Sequence, residues 1–142
     1  MKVLVVDDEL VSRKKMKKIM QAYGDCQAVD SGTAAIKAYT EALLANEHFG
    51  LITLDVSMSD MPGIQVLSTI RTVERSNDIP KEARVKVLMV TALADQATVL
   101  ASIEAGCDDY LKKPFSLQTV TQKLNQMGVT ASPATYGGGS DS

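Results

Sequence analysis

Four short apolar runs in this sequence are each followed by side chains capable of chemistry. VLVV at 3–6 leads into Asp7, Asp8 and Glu9, and LITL at 51–54 leads into Asp55. VLMV at 87–90 leads into Thr91 and Ala92, and the weaker run DYL at 109–111 leads into Lys112, Lys113 and Pro114. Brought together, the carboxylates of Asp7, Asp8 and Asp55 would raise one another's pKa and strain an empty site. A hard divalent cation relieves that strain, and oxygen ligands that leave positions for water and phosphate suit Mg²⁺ (or Mn²⁺). A carboxylate beside such an ion can attack phosphorus and become an aspartyl phosphate. Lys113 would supply a point charge for the phosphoryl oxygens, and Thr91 with nearby backbone N–H groups would supply hydrogen bonds. A solvated loop capping a helix accounts for any one of these acids, but not for a set drawn from four separate segments. The chain has no P-loop, His/Cys metal set or serine nucleophile elbow to compete with this reading.

These groups meet only if the runs are neighbouring strands. Each run is too short for a buried helix and rich in Val, Ile or Leu, as in strands covered on both faces. A further weak strand, residues 27–29, ends at Asp30-Ser31-Gly32. Helical spacing fills the intervals. Residues 10–23 place Met16, Ile19, Met20 and Tyr23 on one side, and residues 33–45 carry Ala35, Ile36, Tyr39, Leu43 and Leu44 as a stripe. Pro62-Gly63 opens a helix over 64–73 with Ile64, Leu67, Ile70 and Val73 in three-residue steps. Residues 96–105 stop at Gly106, and 116–127 begin with a Ser cap and stop at Gly128. Strand and helix thus alternate five times, which predicts an α/β chain with a parallel sheet covered on both faces. Ligands of such sheets bind at the carboxyl ends of the strands, where the acids, hydroxyl and lysine fall.

The 142 residues suffice for one domain, and 45% apolar residues exclude a mostly disordered chain. Fifteen basic against seventeen acidic side chains give a net charge of −2, which argues against direct nucleic-acid binding. No apolar run approaches the ~20 residues of a membrane span, so no membrane insertion is expected. The N-terminus lacks the pattern of a signal peptide. Cys26 and Cys107 lie far apart, as free thiols of a cytoplasmic protein would. The folded portion is expected over 1–128. Residues 129–142 are small and polar with three consecutive glycines, as in a flexible tail or linker.

In order and spacing, Asp7-Asp8, Leu54-Asp55, Thr91-Ala92 and Lys113-Pro114-Phe115 resemble the receiver domains of two-component response regulators. The resemblance spans about residues 2–127. It implies a flavodoxin-like (βα)5 fold with strand order 2-1-3-4-5, and a signalling domain rather than a turnover enzyme. Carried over by position, Asp55 is the phosphoacceptor for a sensor histidine kinase or histidine phosphotransfer protein. Asp8 coordinates Mg²⁺ directly and Asp7 through water, with Asp55 and the Ser57 carbonyl completing the protein ligands. Thr91, Ala92 and Lys113 receive the phosphoryl group, Tyr110 is the switch aromatic, and the Lys113–Pro114 peptide is cis in many relatives. A downstream protein would dock on the face of helix 4, strand 5 and helix 5, with the chain a monomer or weak homodimer. Two alternatives stay open: a receiver cut from a longer regulator, and a Mg²⁺-dependent aspartate-nucleophile phosphatase of the haloacid-dehalogenase type. The phosphatases usually carry a DxD motif on an early strand, whereas Val56-Ser57 follow Asp55.

The sequence also departs from that family. Ser59 stands where receivers usually have proline, which is read as a tolerated loop substitution or a looser loop with altered Mg²⁺ affinity. Ser57 and Leu93 occupy positions that tune dephosphorylation, and an aliphatic Leu93 cannot orient water, so slow autodephosphorylation is expected. Residues 74–86 form a long connection, expected to be a solvated loop. Arg13, Lys14, Lys15, Lys17 and Lys18 concentrate a third of the basic charge on the first helix, as a solvated face or a steering surface. His48 is expected in a surface loop away from the acids.

Overall fold

The apolar runs become the strands of a single sheet. The computed structural model describes residues 1–93 and 95–131. Within them β1 (Lys2–Val6), β2 (Asp25–Val29), β3 (Phe49–Asp55), β4 (Lys86–Thr91) and β5 (Asp109–Lys112) pair in parallel, in the order β2-β1-β3-β4-β5. Between them run α1 (Leu10–Met20), α2 (Gly32–Leu44), α3 (Gly63–Ser76) and α4 (Gln96–Glu104), and α5 (Leu117–Gln126) follows β5. This is the flavodoxin-like, doubly wound α/β fold expected from the sequence.

Side chains alternate across a strand, so each run feeds two cores. Leu4, Val6, Ile52, Leu54, Val87 and Met89 pack with the buried residues of α2 and α3. Val3, Val5, Leu51, Leu88 and Val90 pack with those of α1 and α5. Both layers need apolar residues at successive positions, which is why the runs are continuous. Asp95 and Ser116 cap α4 and α5, and Ser31 caps α2, each side-chain oxygen accepting a backbone N–H of the first turn.

α5 ends in a Schellman turn. Gly128 has φ +79°, its N–H donates to the Asn125 carbonyl, and the Val129 N–H donates to the Leu124 carbonyl at 2.8 Å. Val129 is buried in the α1/α5 layer with Leu124, so packing continues one residue into the segment expected to be a tail. Residues 132–142 of that segment lie outside the described residues. Of the apolar stripe assigned to α2, Ala35 and Tyr39 are buried, joined by Ala38 and Ala42, while Leu44 is 83% exposed.

The connection after α3 is solvated along most of its length, as expected, but it is anchored at both ends by buried groups. The helix runs on to Ser76, and its buried face includes Arg71 and Glu74 as well as Val66, Leu67 and Ile70. Glu74 is fully buried. Arg71 Nη1 lies 2.7 Å from Glu74 Oε1 and donates to the Val85 carbonyl, Nε donates to the Gly106 carbonyl, and Nη2 reaches Asp108 Oδ2 at 3.2 Å. Glu74 Oε2 accepts the Val85 N–H and Asp108 Oδ2 accepts the Val87 N–H. Burial and the Glu74 carboxylate together push the Tyr39 hydroxyl far above its ordinary pKa. Between the buried Glu74 and Val85, residues 75–78 and 80–83 are exposed, the latter including the 3₁₀ turn Lys81–Ala83. The network fastens the starts of β4 and β5, whose opposite ends carry Thr91 and Lys113.

Candidate functional site

Parallel pairing of β1 with β3 places Val6 opposite Leu54, so Asp7 and Asp55 emerge side by side at the carboxyl edge. Asp7, Asp8 and Asp55 each offer a carboxylate oxygen, all within 4.8 Å of one another. Asp7 and Asp55 are each 4% exposed, while Asp8 faces solvent. Lys113 Nζ stands 3.0 Å from Asp7 Oδ2, 3.3 Å from Asp55 Oδ2 and 3.6 Å from Glu9 Oε1. Its backbone N–H donates to the Thr91 carbonyl, and the Lys113–Pro114 peptide is cis. Gly63 is required where α3 abuts β3: a Cβ there would lie 2.1 Å from the Asp55 carbonyl oxygen.

Burial pushes the Asp55 carboxyl up to about 6, and the Asp7 charge adds to the rise; Lys113 and the Ser57 N–H offset it only in part. Burial also opposes the charge on Lys113, but its bond to Asp7 and the charges of Asp55 and Asp7 together hold the ammonium above its ordinary pKa. Asp7 and Asp55 thus share one lysine, while Asp8, the third acid of the cluster, is open to water. That all-oxygen donor set fits a hard divalent cation carrying water ligands.

Ser57, Thr91, Ala92 and Leu93 lie at the same carboxyl edge of the sheet. Ser57 donates its N–H to Asp55 Oδ1 at 3.1 Å. The Thr91 hydroxyl is buried and turned onto its own chain, accepting the Leu93 N–H at 2.8 Å and donating to the Leu93 carbonyl. Ala92 is exposed at the strand end, and the Leu93 side chain is 58% exposed. Tyr110 is half-buried, with Lys123 Nζ 4.7 Å from its ring centre and the same ammonium 3.4 Å from Asp109 Oδ1. His48 is exposed just before β3, at the opposite end of that strand from Asp55.

Two neighbours of the site make contacts that the sequence did not show. Ser59, which stands where receivers usually have proline, donates its N–H and hydroxyl to Asp8 Oδ2, at 3.0 and 3.3 Å. Asp60 accepts the N–H groups of Gly32 and Thr33 and the Thr33 hydroxyl, each at 2.9 Å. Those N–H bonds hold its carboxyl well down, to about 2. The departure from proline at 59 marked that position, but nothing local marked Asp60, whose partners belong to α2.

The chain resembles known proteins over nearly all of these elements. The family model for the response regulator receiver domain matches residues 3–125. The chemotaxis protein CheY of Pseudomonas aeruginosa is 31% identical over 129 residues, covering 89% of this chain and 95% of that protein. CheY in the CheX–CheY–BeF3–Mg²⁺ complex of Borrelia burgdorferi superposes with a TM-score of 0.76 at 25% identity, covering 92% of this chain and 90% of that one. The receiver domain of the histidine kinase CKI1 of Arabidopsis thaliana, complexed with Mg²⁺ and BeF3⁻, gives 0.74 at 26% identity, covering 88% and 89%. The family match takes in β1, β3, β4 and β5, the four strands whose ends form the acidic centre, and the chain belongs to the receiver domains of response regulators.

Proposed function

We propose that Asp55 accepts a phosphoryl group from the phosphohistidine of a sensor histidine kinase or histidine phosphotransfer protein. The observation that carries this reading is a buried carboxylate at the end of β3, within 3.3 Å of Lys113 and within 4.8 Å of two further acids. In the transfer, an Asp55 carboxylate oxygen bonds to phosphorus as the donor's N–P bond breaks and the imidazole departs. Lys113 neutralises charge on the phosphoryl oxygens, and Thr91 and the Ala92 backbone donate hydrogen bonds to them. Asp7, Asp8, Asp55 and the Ser57 carbonyl would hold Mg²⁺, which supplies further charge neutralisation when bound. Two similar receivers were solved with Mg²⁺ and BeF3, which supports that assignment.

Phosphorylation then biases a two-state face. The Thr91 hydroxyl leaves the Leu93 backbone for the phosphoryl group, and Tyr110 moves into the space that opens. The surface that responds is α4–β5–α5. There Leu100, Ile103 and Leu117 are more than half exposed, and a groove of about 390 Å³ runs along Val99, Leu100, Ile103 and Tyr110. A downstream protein docks on this face, and the chain acts as a cytoplasmic signalling domain that catalyses only its own phosphorylation and slow dephosphorylation. Intact mass after incubation with acetyl phosphate tests the reading. The expected result is one phosphoryl adduct that requires Mg²⁺ and is absent from Asp55→Asn; an adduct that persists in that variant would move the acceptor elsewhere.

A further inference from the structure

Two consecutive residues of the loop between β3 and α3 are bound to different neighbours. Ser59 donates both of its hydrogens to one oxygen of Asp8, from the backbone at 3.0 Å and from the hydroxyl at 3.3 Å. Asp60 accepts three donors at the start of α2, the N–H groups of Gly32 and Thr33 and the Thr33 hydroxyl. The first N–H groups of a helix have no partner within the helix, and a carboxylate there also meets the positive end of the helix dipole. At its far end the loop is closed by the Gly63 N–H, which donates to the Val56 carbonyl at 2.8 Å. One side of the loop is therefore anchored on a rigid helix and the other side grips an exposed carboxylate. Proline at position 59 could make neither bond to Asp8, because it has no N–H and no hydroxyl.

We infer that Ser59 is a positioning residue for the metal ligand Asp8, held in place by Asp60, and that this clamp strengthens divalent-cation binding. The inference rests on the reading that Asp7, Asp8 and Asp55 hold a divalent cation. Asp8 lies on the solvent side of the cluster, where its side chain would otherwise sample several rotamers. Two donors on Oδ2 fix the carboxylate and leave Oδ1 free to ligate. Hydrogen-bonded partners of metal-ligating groups typically contribute about 10- to 100-fold in affinity, and an exposed ligand places the effect at the lower end.

Isothermal titration calorimetry of the full chain with MgCl₂ tests this, with circular dichroism to confirm the fold of each variant. Ser59→Pro removes both donors and is expected to weaken Mg²⁺ binding about 10-fold. Ser59→Ala keeps the N–H and should lose less, and Ser59→Thr keeps both donors and should bind as the wild type does. Asp60→Ala frees the anchor and should fall between Ser59→Ala and Ser59→Pro. Should Ser59→Pro fail to fold, the alanine and threonine variants and Asp60→Ala still give the ranking. Equal affinity for wild type and all the folded variants would overturn the clamp alone. No Mg²⁺ binding by the wild-type chain would overturn the metal site and the clamp with it.

Discussion

Asp55 carries its negative charge against both its burial and its neighbour Asp7, which together raise its carboxyl to about 6 from an ordinary 3.8. Between those values the folded chain holds a proton that the unfolded chain has already released. Stability therefore falls as pH rises through that window, and the loss persists above it. Asp55→Asn removes the charge but keeps the shape. Without divalent cation it should raise unfolding free energy at pH 7.5 by roughly 1–3 kcal/mol, and by close to nothing at pH 4. Urea melts at the two pH values check this, and an equal shift at both would show that charge is not the cause. Asp55 was legible in sequence because it ends an apolar run, and Asp7, Thr91 and the lysine pair before Pro114 follow such runs too. Ser59 and Asp60 were not legible in the same way. Their partners lie 51 and 27 to 28 positions away, and only the folded chain brings them into contact.

Among the elements, α3 shows most clearly where periodicity stops being informative. Its three-residue stripe located the helix, but the buried face also takes in Arg71 and Glu74. Charged side chains read as solvent-facing unless partners cancel them, and here the partners are backbone groups of Val85 and Gly106 together with Asp108. No local pattern announces such a set. Glu74→Ala would leave the buried Val85 N–H without its acceptor and the Arg71 guanidinium with Asp108 as its one remaining counter-ion among the described residues, a change that should cost roughly 2–4 kcal/mol. The double variant Arg71→Met/Glu74→Leu removes both charges at similar volume and should be less destabilised than Glu74→Ala. Urea midpoints of the two variants decide between these outcomes. A double variant less stable than Glu74→Ala would mean that the bonds of Arg71 to Asp108 and to the Val85 and Gly106 carbonyls stabilise the start of β4 even without Glu74.

Across the whole molecule, the fivefold alternation of strand and helix was legible chiefly because the central strands β1, β3 and β4 are covered on both faces and had to be apolar. The edge strands β2 and β5 keep exposed polar residues and are only weakly marked. The distribution of surface charge needed the structure. Of the five cations on α1, Arg13 donates to the Asp7 carbonyl and Lys15 to the Phe115 carbonyl, with the Lys15 ammonium also 4.9 Å from the Phe115 ring centre. Lys14, Lys17 and Lys18 are exposed and have no ion-pair partner among the described residues. On a chain of net charge −2 they form a local positive field on the helix that follows Asp7 and Asp8. Leu10 and Val11 stand 53% and 75% exposed at its first turn. Such an arrangement accelerates encounter with an acidic partner surface and leaves the chemistry at Asp55 untouched. Replacing Lys14, Lys17 and Lys18 by glutamine should therefore slow phosphotransfer from a phosphohistidine protein about 10-fold at low ionic strength, with the difference shrinking as salt is added. Labelling by acetyl phosphate, a small donor that docks on no helix, should proceed at the wild-type rate. Rapid-quench kinetics with the two donors at two salt concentrations separate the cases. An equal slowing with both donors would mean that the substitutions disturb the acid site, and an unchanged rate with the protein donor would mean that α1 takes no part in its capture.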